Sequence, residues 1–180
     1  MKSNLTKNQE LELLSALDSR AESPLKFTYV GTGYRDWIDI AQKSRKERSI
    51  QYEEDLLKTE FLPFIFREID SQTKSVNIID LGCGDGVPMV SVLNYLKDIP
   101  TVRYIATDIS QNMLTEAEKT IKSKSPQVKI IQKLSDFEKG EIPEDILQLT
   151  KAPNTRNYSF LLGNTLGNFD NIEKVLSNLK

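Results

Sequence analysis

Three aspartates and three glycines occupy positions from which this chain could hold a small ligand. Asp80, Gly82, Gly84 and Gly86 stand two apart at the end of an apolar run, and Asp108 and Asp136 close two later runs of the same kind. Val76, Ile78, Ile79 and Leu81 read as a short buried strand, and the glycines after them as a loop whose backbone comes close to something. Met89, Val90, Val92, Leu93 and Leu96 then recur at helical spacing. Strand, glycine loop and helix in succession aim unpaired backbone N–H groups and a helix N-terminus at whatever lies above the loop. An acid at the strand end would repel a pyrophosphate and suits a ligand with an ammonium group. Asp108, at the tip of the next strand, is placed to accept both ribose hydroxyls, a bidentate role that a carboxylate fills well. Asp136 beside Phe137 suits an adenine ring, the carboxylate taking the exocyclic amine and the phenyl an apolar face. The plainer alternatives are a chance glycine turn and a helix-opening Asp108.

The pattern Asp80-x-Gly82-x-Gly84-x-Gly86 resembles motif I of the class I S-adenosylmethionine-dependent methyltransferases, where the dinucleotide fingerprint would be Gly-x-Gly-x-x-Gly. A second segment, running from Leu162 to Phe169, is similar to the matching segment of the histidine Nα-methyltransferase family of ergothioneine synthesis. The similarity extends to residues 26–40, 107–110 and 135–137, and so spans most of residues 26–180. The resemblance implies an α/β, Rossmann-like class I methyltransferase fold. Its mostly parallel sheet would have the order 3-2-1-4, with N-terminal helices, a helical or lid segment over residues 1–70 and a cofactor-binding unit over 71–180. It implies S-adenosylmethionine as cofactor, contacted by Gly82, Asp108, Asp136 and Phe137, with Tyr29 closing over it. Asp80, Gly84, Gly86, Ile109 and Gly163 complete the implied cofactor site. Asn168 would hold an amino acid substrate, and Tyr52 falls at a compatible distance for the same pocket. Two departures stand out: Pro88 replaces a lysine of the family example, and the family's Tyr-Pro-Thr-Arg segment is not recognisable. Family members are also expected to continue, through further strands and an inserted domain, beyond the point where this chain stops at Lys180.

The elements that would position these groups follow from the chain in order. Residues 5–18 read as an amphipathic helix with Leu11, Leu14 and Leu17 on one face and Thr6 with Gln9 as a capping box. Residues 26–34 form an aromatic, glycine-containing loop, with Tyr29 and Tyr34 either packing or folding over a ligand as a lid. A short helix carries Trp37, Ile38 and Ala41. Lys43, Arg45, Lys46 and Arg48, balanced by Glu53, Glu54 and Asp55, read as a solvated helix face. Residues 50–69 read as one helix bent at Pro63, with Leu56, Leu57, Phe61 and Ile65 inward. Further strands are expected at 102–106, 128–134 and 158–162. Between the first two, a helix capped by Ser110 turns Met113, Leu114, Ala117 and Ile121 inward. A small helix lies around 144–150, and Asp170 with Glu173 opens a last one.

Composition narrows the reading. At 180 residues the chain is long enough for one domain with a real core. A net charge of −2 gives no field favouring nucleic acid or acidic membranes. Cys83 is the only cysteine, which fits a reducing, cytoplasmic setting without disulfides, and no apolar run approaches a membrane span. The absence of histidine excludes a histidine base and most zinc sites. An S-adenosylmethionine-dependent methyltransferase acting on an amino acid or small amine needs neither a nucleophile nor a metal. The competing readings are a cofactor-binding fragment without independent activity and a nicotinamide-binding domain. The fourth strand, with Tyr158, Phe160 and Leu162, is expected to form an apolar edge with one sheet face uncovered, a setting in which two copies would pair.

Overall fold

The computed structural model describes residues 5–20, 23–47, 56–136, 139, 146, 148–149, 151–162 and 171–178. Helix α1 (Lys7–Arg20) begins at the expected capping box: Thr6 N–H donates to Gln9 Oε1 at 2.8 Å, and Gln9 N–H returns a bond to Thr6 Oγ1 at 3.3 Å. Its leucines do not face inward. Leu11, Leu14 and Leu17 are all exposed, and Ala16 is the buried position. The helix docks instead through Glu12, which ion-pairs with Lys26 in the 3-10 turn Leu25–Tyr29. Helix α2 (Gly33–Glu47) follows a tight turn.

A wide π-type turn, Leu57–Phe61, then leads into the short helix α3 (Leu62–Ile65). Pro63 has no N–H to continue the ordinary ladder, and Leu62 N–H bonds instead to Leu57 O, one residue further back. The extra residue rotates the helix face. Leu56 and Phe61, expected inside, point to solvent, while Leu62 and Phe66 take the core positions.

Four strands form one parallel sheet: β1 (Ser75–Leu81), β2 (Thr101–Asp108), β3 (Lys129–Leu134) and β4 (Thr155–Phe160), in the order β3-β2-β1-β4. Helix α4 (Met89–Tyr95) crosses from β1 to β2, and α5 (Gln111–Lys124) from β2 to β3, as parallel neighbours require. Both faces of β1 are covered. Val76 and Ile78 pack with Tyr104, Met89, Leu93, Leu114 and Phe66, and Ile79 and Leu81 pack with Ile105, Ile146 and Val175. Val175 comes from α6 (Ile172–Asn178), whose first turn is capped by Asn171: its carboxamide oxygen accepts Lys174 N–H at 2.8 Å. The expected opening residue, Asp170, lies outside the described residues. The second face is therefore covered by Ile146 and α6, against the expectation of an open one.

β4 also starts earlier than expected, at Thr155, which brings Arg156 and Asn157 into the edge strand. Within the sheet Asn77 is fully buried and satisfied: it donates to Asn157 Oδ1 at 2.7 Å and Leu149 O at 3.1 Å, and accepts from Arg103 at 3.3 Å. Arg103 and Asn157 are its register partners on β2 and β4. Among the described residues, no helix is long and apolar enough to cross a membrane.

Candidate functional site

The carboxyl ends of β1 and β2 lie side by side, Leu81 opposite Thr107, and the glycine loop turns over them. Gly82, Gly84 and Gly86 have φ of +71°, +54° and +71°, a region that residues with a Cβ enter only at a cost. The loop is closed on itself rather than open to an anion. Gly82 and Cys83 N–H donate to Thr107 O at 2.9 and 3.0 Å, and Gly86 N–H to Cys83 O at 2.9 Å. Gly84 N–H donates to Asp108 Oδ2 at 3.2 Å, and Val87 N–H to Asp85 Oδ1 at 3.2 Å. The expected row of unpaired donors is thus largely spent within the protein, because two aspartates and the Thr107 carbonyl reach the loop first. Gly86 also lets α5 approach, since a Cβ there would stand 3.1 Å from Ala117 Cα.

Carboxylates gather around this loop. Asp108 is buried and accepts Ser110 N–H at 2.9 Å as well as Gly84 N–H. Ser110 itself makes no side-chain cap at α5. Burial outweighs the three backbone donors to the Asp108 carboxyl and pushes its pKa up to about 6. Asp80, also buried, accepts the Tyr104 hydroxyl at 2.7 Å; desolvation, joined by the charges of Asp108 and Asp85, raises it to about 7. Asp85 is paired at 2.6 Å with Arg45 of α2.

The N-terminal segment lies over this end of the sheet. Gly31 O accepts the Asn112 side chain of α5 at 2.9 Å. Tyr29 is half-buried; burial raises its phenol, and Asp108 is close enough to raise it further. The Trp37 ring lies so near Gly84 that a Cβ there would stand 2.7 Å from Cη2. Lys26, 8% exposed, bonds Asp136 Oδ2 at 3.0 Å while pairing with Glu12, and Lys139 adds a 2.7 Å ion pair to Glu12. Burial by itself would raise the Glu12 carboxyl; Lys139 and Lys26 bring it below the ordinary value.

A model of the family described as histidine-specific, S-adenosylmethionine-dependent methyltransferases matches residues 10–179. The chain belongs to that family. No curated protein matches the chain. The cofactor of this methyltransferase is accordingly S-adenosylmethionine, and the residues present fit it. The glycine loop has few donors left for a phosphate, and Asp80, Asp85 and Asp108 make its surroundings negative, with Arg45 paired to Asp85 among the described residues. A pyrophosphate would be repelled there. A ligand with a sulfonium and an ammonium group and no phosphate would be attracted.

Of the residues singled out from sequence, the methyltransferase fold brings Asp80, Gly82, Gly84, Gly86, Asp108 and Ile109 to one end of the sheet, with Tyr29 near enough for the Asp108 charge to act on its phenol and Asp136 just beyond the end of β3. Phe137, Gly163, Asn168 and Tyr52 lie outside the described residues. Sequence reading missed Lys26, Trp37 and Arg45 as parts of this region. Arg45 belongs to a basic cluster that, balanced by Glu53, Glu54 and Asp55, reads as a solvated helix face, and Lys26 is 110 positions from its partner Asp136.

Proposed function

We propose that this methyltransferase acts on a nitrogen of an amino acid or related small amine, histidine being the first candidate from the family's description. The observation that carries the reading is the cluster of buried carboxylates beneath a covering N-terminal segment, an environment suited to cationic ligands. When bound, the cofactor supplies a methyl group on a positively charged sulfur, which an amine lone pair takes in line as the carbon–sulfur bond breaks and the thioether leaves. The protein's part is to bind, orient and exclude water. In this reading Asp108 accepts the ribose hydroxyls, with Ile109 beside it, and Asp136 with Phe137 receives the adenine. Asp80 sets the field for the ammonium end, and Gly82, Gly84, Gly86 and Gly163 give the backbone room. Tyr29 closes the site, residues 1–70 acting as cover and 71–180 as the cofactor unit. Asn168 and Tyr52 hold the substrate amino acid.

The second reading is a cofactor-binding unit without activity of its own. Incubation with a labelled methyl donor and a panel of amino acids and amines separates the two. Transfer to an amine supports the first, while binding of S-adenosylhomocysteine without transfer to any member supports the second. One buried thiol without a disulfide partner suits a reducing, cytoplasmic setting. Pairing of two copies along the β4 edge is opposed by Arg156 on that strand. Light scattering tests it, a mass of two chains supporting the edge.

A further inference from the structure

We propose that Arg45 is the residue that holds the carboxylate of the cofactor's amino acid end. This rests on S-adenosylmethionine being the ligand of the glycine loop. That ligand is zwitterionic at its methionine end: the acidic surroundings of the loop satisfy the ammonium and the sulfonium and oppose the carboxylate. A carboxylate seated beside Asp80, Asp85 and Asp108 needs a cation within reach. The helix after the loop supplies none, because Pro88 opens it and Met89–Tyr95 contains no basic residue.

The cation comes from α2. Trp37, Ala41 and Arg45 are spaced four apart and share one face of that helix. At one end of this face the Trp37 ring meets Gly84, and at the other the Arg45 guanidinium meets Asp85. Among the described residues Asp85 is the one partner of Arg45, bonded through Nη2 at 2.6 Å, and the Arg45 side chain keeps 29% of its surface exposed. A guanidinium has five N–H donors in a planar fork, so one carboxylate leaves donors for a second. Asp85 thus orients the fork, and the remaining edge is free to receive a ligand carboxylate.

The test compares S-adenosylhomocysteine with 5′-methylthioadenosine, which keeps the adenosine and the sulfur and lacks the amino acid end, by isothermal titration calorimetry. In the unaltered protein S-adenosylhomocysteine binds more tightly. Arg45→Gln should weaken it by about ten- to a hundredfold, the range carried by hydrogen bonds to charged groups, and leave methylthioadenosine unchanged. Arg45→Lys, which keeps the charge without the fork, should retain part of the preference. Asp85→Asn should retain most of it, because the guanidinium remains. Equal weakening of both ligands by Arg45→Gln, or no weakening of either, would show that Arg45 only braces the loop and would overturn the proposal. If the unaltered protein bound neither ligand, the cofactor reading would fall first and this inference with it.

Discussion

Asp108 accepts backbone N–H groups of Gly84, Ile109 and Ser110 and, in the proposed role, two hydroxyls of the ligand. Asp108→Ala should weaken S-adenosylhomocysteine binding by about 1.5–3 kcal/mol, the scale of hydrogen bonds to a charged group. Asp108→Asn keeps an acceptor for one of Gly84 N–H and Ser110 N–H and sets an amide donor against the other, so its denaturation midpoint, measured beside its affinity, separates the loop's needs from the ligand's. If calorimetry found the Ala variant binding as tightly as the unaltered protein, the ribose assignment would be wrong. The aspartates were legible because they end apolar runs, where side chains at strand tips have few other duties. Their hydrogen bonds were not legible. That Asp80 turns to Tyr104, on the neighbouring strand, depends on a register that no local pattern encodes.

At the scale of elements, the strand–loop–helix unit could be read directly because two periods meet at its glycines. The N-terminal segment could not, because what fastens it is long-range charge. Lys26 joins Glu12 of α1 to Asp136 beyond β3, and Arg45 joins α2 to the loop. The leucine stripe of α1 suggested burial from spacing alone, yet spacing does not show whether a partner surface exists. Lys26→Met would take from the Asp136 carboxylate, with 12% of its side chain exposed, its 3.0 Å cation and leave Lys139 more distant at 3.7 Å. Breaking a buried ion pair in this way costs about 3–5 kcal/mol, and the partial exposure of Glu12 places the expected loss at the lower end. Urea denaturation measures it. A loss under about 0.5 kcal/mol, the size of a surface substitution, would mean that the segment is held by its apolar contacts instead.

For the whole molecule, the raised carboxyls make stability depend on pH in an unusual direction. Asp108 at about 6 and Asp80 at about 7 keep protons in the folded chain that an unfolded chain, with aspartates near 3.9, releases. Their contribution is therefore fully present below about pH 4 and lost as pH rises towards 7. Glu12, held below its ordinary value, acts oppositely and only at more acid pH. Denaturation midpoints without ligand should rise between pH 7.5 and about 5.5, and Asp80→Asn together with Asp108→Asn should flatten that slope. A flat profile in the unaltered protein would mean that water reaches both carboxyls. A cationic ligand reverses the preference, because it favours the ionised acids. Binding should then release protons at neutral pH, seen as a calorimetric heat that varies with the buffer's ionisation enthalpy.

Trp37 is the only tryptophan in the chain, and it lies against Gly84. The consequence is optical. With a single, half-buried indole reaching from α2 to the glycine loop, intrinsic fluorescence reports one location rather than an average over the molecule. A ligand that enters beneath α2 changes the polarity and the charges around that ring. The emission of the unlabelled protein should therefore shift saturably with S-adenosylhomocysteine, with the same dissociation constant that calorimetry gives. Stopped-flow records of the same signal would time the arrival of the ligand beside Trp37 with no engineered probe. A silent spectrum at saturating ligand would place the ligand away from the ring, on the far side of the loop.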